Sequence, residues 1–295
     1  MYYYDPVTNS FSGATLSLPN LGQVMWHITN QCNLNCSICF TRKMRTSPEQ
    51  MLEEKDIQNY VKLLRELGVE KVDLSGGEPL LYPYLQELVS TCVDNNIFTT
   101  ITTSGVGTDS NVNWLAQNGQ LFSRVILSLD GSKQLHNSLR GSTKAFDAFL
   151  RLYKGLEQRK NSCIRINTVV TQALLKKNER ALLVNCVGEL KPFEWCLVQP
   201  YPINKTDQFD AMKVSDEVFW GFVNACKAEP TLSNLHIECR SNADYGAYWS
   251  IFCDGFLYYS SDQENYDIKI KFTQENIEKI KDYVLHHPQT YISLK

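Results

Sequence analysis

The chain contains no run of about 18 uncharged apolar residues, and its first residues, MYYYDPVTNSFSG, have neither a basic stretch nor an apolar one, so no membrane-spanning helix and no secretion signal is expected. It lacks an excess of charge of either sign: 29 Lys+Arg stand against 32 Asp+Glu, a formal net charge of −3. That balance excludes a whole-protein field that would gather a nucleic-acid polymer or an anionic membrane, so an anionic ligand must be held by local residues. Internal repeats, low-complexity tracts and Pro/Gly-rich linkers are absent as well. A soluble, cytoplasmic protein is the expectation. With 295 residues and 43% hydrophobic content, the chain can fill one large α/β core, which excludes a disordered or fibrous protein. Ten cysteines without a secretion signal point to metal binding or buried thiols rather than to a disulfide scaffold.

Behind a polar, turn-rich lead-in over residues 1–22, strand-like and helix-like stretches alternate as βα units of a mainly parallel sheet do. Strands are expected at Val24–Thr29, Lys71–Leu74, Phe98–Thr103, Arg124–Leu129, Ile164–Val170 and Trp195–Gln199. The matching helices are Glu49–Leu67, Tyr84–Asp94, Val112–Gln117, Thr143–Arg159, Glu179–Val187 and Ser215–Ala228. The first helix carries the clearest pattern, with Ile57, Tyr60, Val61, Leu64 and Leu67 on one face and Gly68 as its stop. A closed eight-stranded barrel needs about 250 residues. Six units fill residues 24–228 here, so the expected fold class is α/β: a partial (β/α)6 barrel of the TIM type over residues 23–230, open at the side for a large substrate. Residues 231–295 are expected to form a small α+β extension over the barrel mouth. It comprises a strand at Leu235–Cys239, a hairpin over Trp249–Ser260 turning at Asp254-Gly255, and a helix Gln274–His286 stopping before Pro288.

Three of the ten cysteines stand apart by spacing. The sequence His27-Ile-Thr-Asn-Gln-Cys32-Asn-Leu-Asn-Cys36-Ser-Ile-Cys39-Phe40 places three thiols directly after the first strand, and parallel βα folds gather their sites at the C-terminal ends of strands. Three thiolates suit a four-iron cluster, because each holds one iron and one iron stays open to a small molecule. A structural zinc would want four N/S ligands, and His27, five residues ahead of Cys32 on a strand, is not at usual zinc spacing. His27 reads instead as a half-buried strand residue.

The C-x3-C-x2-C run followed by Phe40 resembles the signature of the radical S-adenosylmethionine superfamily. A second element strengthens the likeness: the next strand ends in Ser75-Gly76-Gly77-Glu78-Pro79, similar to that family's GGEP motif. The resemblance implies one 4Fe-4S cluster on Cys32, Cys36 and Cys39, with S-adenosyl-L-methionine chelating the open iron. Reductive cleavage of the cofactor would then give a 5′-deoxyadenosyl radical that abstracts hydrogen from a substrate. It also implies cofactor contacts from Phe40, Gly76, Gly77, Glu78 and Pro79, with Glu78 accepting hydrogen bonds from the cofactor's ammonium. Further contacts would come from Ser104 in Thr102-Thr103-Ser104-Gly105, where the family more usually has Asn, from Ser128 and Asp130, from Arg140, and from Asn167. A flavodoxin or ferredoxin is the implied electron donor. The likeness runs from Val24 to Tyr201. Beyond it only Cys226, Cys239 and Cys253 occur, widely spaced, so a single cluster is expected.

Arg42, Lys43 and Arg45, joined by Lys133, could grip phosphate or carboxylate groups at the mouth. Viperin-like nucleotide-modifying enzymes share the Cys-x3-Cys-x2-Cys-Phe run, the Ser-Gly-Gly-Glu-Pro turn, an Ile-Asn-Thr/Ser-Val strand and a sixth strand ending in Gln. The chain departs from them in having Thr-Arg-Lys after the cysteines, a different C-terminal region and no N-terminal amphipathic helix. A nucleotide or other anionic small molecule is therefore the expected substrate. Radical modification of a ribosomally made peptide is the alternative, although no segment resembles a leader-peptide-binding domain. A non-enzymatic iron–sulfur or zinc sensor is a third reading, and it gives no use to Glu78. Tyr245, Tyr248 and Cys253 are candidate hydrogen-atom donors to a product radical.

Overall fold

Alternation along each strand decides which side chains meet helices and which face inward. In β3 (Gly22–Thr29), Val24, Trp26 and Ile28 are buried against helices, and Gln23, Met25 and His27 take the other face. The computed structural model describes residues 3–5, 10–12, 21–39, 41, 52–158, 163–176, 178–200, 210–261 and 267–289. Among them, β1 (Tyr3–Asp5) and β2 (Ser10–Ser12) pair as a small antiparallel ribbon within the lead-in.

Six strands follow the expected order: β3, β4 (Val69–Gly76), β5 (Phe98–Thr103), β6 (Arg124–Ser128), β7 (Ile164–Val169) and β8 (Glu194–Val198), each parallel to the last. β9 (His236–Arg240) continues the parallel order beyond β8, so the strand expected in the extension belongs to the main sheet. The chain then crosses to the opposite edge. There β10 (Tyr248–Ile251) lies parallel to β3, and β11 (Phe256–Ser260) and β12 (Ile268–Lys271) follow antiparallel. The β10–β11 turn falls at Asp254-Gly255, with Gly255 at φ 78°.

Among the described residues the resulting sheet has ten strands, and β9 does not pair with β12. It is nevertheless curved, because one cavity of about 280 Å³ is lined by β3, by every strand after it through β8, and by β9; a flat sheet cannot bring strands as far apart as β3 and β9 to one cavity. This is an open, partial barrel.

The helices are α1 (Ile57–Glu66), α2 (Leu85–Asp94), α3 (Asp109–Asn118), α4 (Lys133–Arg140), α5 (Ala145–Glu157), α6 (Glu179–Leu190), α7 (Asp216–Lys227) and α8 (Ile277–His286). Their apolar stripes, such as Val61 and Leu64 of α1 and Phe149, Leu152 and Leu156 of α5, pack on the outward strand residues in one continuous core. α1 starts later than the sequence pattern suggests, behind a 3-10 turn at Glu54–Asp56. The long helix expected at Thr143–Arg159 is preceded by a separate helix, α4, which ends on Gly141 in the left-handed region at φ 62°. No helix among the described residues is long and apolar enough to cross a membrane.

Candidate active site

The site begins where β3 and β4 run past their paired ends. The Gly77 amide donates to Thr29 O and the Glu78 amide to Gln31 O, both at 2.7 Å. A Cβ on Gly76 would lie 2.2 Å from Thr29 O, and one on Gly77 would lie 2.0 Å from Gln31 O. Gly76 also sits at φ 133°, a conformation open to glycine. The close approach that the double glycine permits is thus to the chain's own segment 29–31, which launches the cysteine loop.

Cys32, Cys36 and Cys39 all line the cavity, Cys36 buried and the other two half-buried. Among the described residues no three His, Cys, Asp or Glu side chains converge to hold a single ion. A four-iron cluster does not ask for that, since each thiolate takes a separate iron. The facing thiols are a fitting donor set for it.

Glu78 is buried beside the thiols and accepts four hydrogen bonds. Oε1 takes the Leu80 amide at 3.1 Å and the Thr103 hydroxyl, and Oε2 takes the Ser104 amide at 2.9 Å and the Ser104 hydroxyl at 2.6 Å. Burial pushes its carboxyl up, and the Ser104 and Thr103 hydrogen bonds pull it back down. Ser104, standing where the family pattern has Asn, therefore orients this carboxylate.

Asp130 is fully buried between α4 and β7. Its Oδ2 accepts from Arg140 Nε at 2.7 Å and Nη2 at 2.6 Å, and its Oδ1 accepts the Val169 amide at 3.1 Å. Burial alone would raise the Asp130 carboxyl, but Arg140, His136 and the Val169 amide together outweigh it and hold the value at about 2. Ser128 and Asn167 line the same cavity, and Asn167 Oδ1 accepts from Arg165 Nε at 2.8 Å.

Of the candidate hydrogen donors, Tyr245 lines the cavity; Tyr248 is buried in β10, and Cys253 is half-buried in the hairpin turn. Pro79 opens a short 3-10 turn behind Glu78. Lys133 is turned away: its ammonium meets Asp147 at 2.6 Å on the exposed surface, and it does not line the cavity. Phe40, Arg42, Lys43 and Arg45 lie outside the described residues.

His27 is more buried than expected. At 3% exposure it lines the cavity and stacks on Phe252 with ring centroids 4.4 Å apart. Burial lowers its pKa to about 4. Unfolding therefore takes up a proton between the ordinary value of about 6.5 and 4, and stability falls as pH falls through that window. Between pH 6.5 and 5 the loss is about 2 kcal/mol. Denaturant unfolding of wild type and His27→Leu at both pH values is expected to show this slope in the wild type alone.

Sequence reasoning missed a group of charges inside the barrel. Lys71, Arg124 and Arg165 are fully buried on inward positions of β4, β6 and β7, with Glu194 of β8 nearly so; Asp73 and Arg240 line the cavity itself. Glu194 lies 2.9 Å from Arg165 Nη1, an ion contact without hydrogen-bond alignment, and 3.5 Å from Arg124 Nη2. Asp73 accepts from Gln23 at 2.7 Å and from Thr100. Burial lowers Lys71 to about 7, with Asp73 acting against this and Arg124, Arg240 and Arg165 adding to it. The signal was present in the strands: K-V-D in β4, R-V-I in β6, I-R-I-N in β7 and E-W-C in β8 alternate charge with apolar residues, where buried parallel strands are usually apolar throughout.

Comparison with known proteins bears on this arrangement. A model of the Radical SAM superfamily matches residues 26–171, the span that holds the cysteine loop, the Gly-Gly-Glu-Pro turn, Asp130, Arg140 and Asn167. Residues 26–171 form a Radical SAM domain. Two relatives are named S-adenosylmethionine-dependent nucleotide dehydratases. The protein from Lacinutrix mariniflava is 28% identical over 233 residues, 75% of this chain and 47% of that protein. The one from Flammeovirga pacifica is 28% identical over 211 residues, 68% of this chain and 71% of that protein. The radical SAM chain therefore spans about half of the first relative's length. Among solved structures, Streptococcus suis SuiB bound to S-adenosylmethionine superposes with a TM-score of 0.65 at 20% identity, covering 81% of this chain and 60% of that one. The likeness to SuiB is one of fold.

Proposed function

We propose that this radical SAM chain holds one 4Fe-4S cluster on Cys32, Cys36 and Cys39 and uses S-adenosylmethionine to start radical chemistry on an anionic small molecule of the nucleotide class. When bound, the cluster and S-adenosylmethionine together supply a 5′-deoxyadenosyl radical. Glu78, buried and oriented by Ser104 and Thr103, presents a carboxylate to the cofactor's ammonium, while Arg140, Ser128 and Asn167 face the same space. A flavodoxin or ferredoxin is the proposed electron donor. Iron analysis of the reconstituted protein is expected to find about four irons per chain, as a single cluster requires; about eight would contradict it.

The observation that carries the substrate reading is the buried charge in the barrel. Lys71, Arg124 and Arg165 are buried there with Asp73 and Glu194, and Asp73 and the half-buried Arg240 connect the group to the cavity of the cysteines. A phosphate group that meets Arg240 from the cavity gains charge-assisted hydrogen bonds to a guanidinium. A cavity of about 280 Å³ suits a compact anion better than a peptide. Of the hydrogen-donor candidates, Tyr245 is the one that faces the cavity.

The test is equilibrium binding of nucleoside triphosphates. Binding is expected in the wild type and a loss of tenfold or more in Arg240→Met, since Arg240 lines the cavity and one good charge-assisted contact is worth about 1.5–3 kcal/mol. Lys71 gains its charge as pH falls through about 7, so the wild-type advantage over Lys71→Met should grow below that pH and shrink above it. Binding unaffected by either substitution would remove the nucleotide reading, and a short precursor peptide bound in its place would favour peptide modification.

A further inference from the structure

The end of α4 is built onto the cysteine loop. The Ser37 amide donates to Leu139 O at 2.9 Å, and the Ser37 hydroxyl reaches the same carbonyl at 3.3 Å. Gly141 follows so closely that a Cβ there would sit 2.6 Å from Asn35 O. Between these contacts stands Arg140. Its Nε and Nη2 are both held by one oxygen of the buried Asp130, at 2.7 and 2.6 Å. That anchoring turns the remaining arm of the guanidinium, Nη1, toward Cys36 Sγ at 4.0 Å. Asp130 is fixed in turn by the Val169 amide, and His136 Nδ1 accepts the Asp130 amide at 3.1 Å. Arg140 therefore does not swing freely in the cavity; the sheet and α4 aim it at a sulfur.

We propose that Arg140, locked by Asp130, is a positioning residue for Cys36 that raises the reduction potential of the cluster whether or not S-adenosylmethionine is bound. The inference rests on the cluster assignment made above. Adding one electron gives the cluster one more negative charge. A nearby guanidinium and an N–H directed at a ligand sulfur both stabilise that reduced state. They are held in place by Asp130 and not by the cofactor, so their effect does not require the cofactor. A contact that served only to hold the cofactor would leave the cofactor-free cluster unchanged.

The experiment is a redox titration of the reconstituted protein, followed by electron paramagnetic resonance without S-adenosylmethionine and repeated with it, in wild type and Arg140→Gln of matched iron content. The expected result is a more negative midpoint in Arg140→Gln already without the cofactor. A cofactor-free midpoint equal to that of the wild type overturns the proposal, whatever happens to cofactor binding. If Arg140→Gln assembles no cluster, Arg140→Lys takes its place, since it keeps the charge and gives up the planar fork. A cofactor-free midpoint below that of the wild type then supports the proposal, and an unmoved one overturns it. A wild-type protein that assembles no cluster would contradict the functional reading, which is a different result from an assembled cluster with an indifferent Arg140.

Discussion

Glu194→Gln is expected to destabilise the protein by about 3–5 kcal/mol, the usual effect of breaking a buried ion pair by removing one partner. The expectation follows from burial: Glu194, Arg124 and Arg165 are all shut off from water. With the carboxylate neutralised, Arg124 and Arg165 both lose the ion contact that Glu194 makes to them. Such a loss is a large fraction of the roughly 5–15 kcal/mol that a domain possesses, so the melting temperature should fall well beyond what an exposed substitution produces. The same variant probes the substrate proposal. A lumen that receives polyanions should be rescued by one, so inorganic triphosphate should raise the melting temperature of Glu194→Gln more than that of the wild type. A variant as stable as wild type, or one indifferent to triphosphate, contradicts this account of the lumen.

Gly77→Ala should cost the protein its cluster. A methyl group 2.0 Å from Gln31 O meets backbone, which cannot rotate away as a side chain would. Either the Gly77–Thr29 and Glu78–Gln31 bonds at 2.7 Å open or the cysteine loop shifts. Overpacking of this kind costs about 1–3 kcal/mol and sometimes more. The local effect is larger than the global one, because the displaced segment leads straight to Cys32. The expected outcome is a folded chain by circular dichroism with iron content well below wild type after identical reconstitution. Gly155→Ala, on α5 with its nearest neighbour the Ala116 methyl at 2.8 Å, serves as control and should retain its iron. Normal iron in Gly77→Ala would show that the double glycine is not what sets the loop.

The six-unit rhythm was legible because apolar runs and stops alternate cleanly from Val24 onward, and the cysteine loop was legible because thiol spacing is a local property. α4 was not. Its eight residues, KQLHNSLR, are mostly polar, so their periodicity is weak. The end signals were there all the same: Ser132, whose hydroxyl accepts the Leu135 amide, and Gly141 as the left-handed stop. β9 was seen as a strand, but its parallel pairing with β8 depends on the turn taken by the chain after α7, which no local pattern encodes. Lys133 shows the limit of reading charge along a sequence. It follows the Ser128–Asp130 strand end closely, yet it opens a helix whose outer face carries it to Asp147. The lumen charges show the converse, since arginines are usually exposed and Arg124 and Arg165 are among the most buried residues of the protein.

The most direct test of the central claim is low-temperature electron paramagnetic resonance of the anaerobically reconstituted, reduced protein, recorded with and without S-adenosylmethionine and repeated on Cys36→Ala. The account predicts a reduced 4Fe-4S signal in the wild type that changes on adding the cofactor and is absent from Cys36→Ala. A protein that takes up no cluster, or one whose cluster signal is indifferent to S-adenosylmethionine, would contradict it.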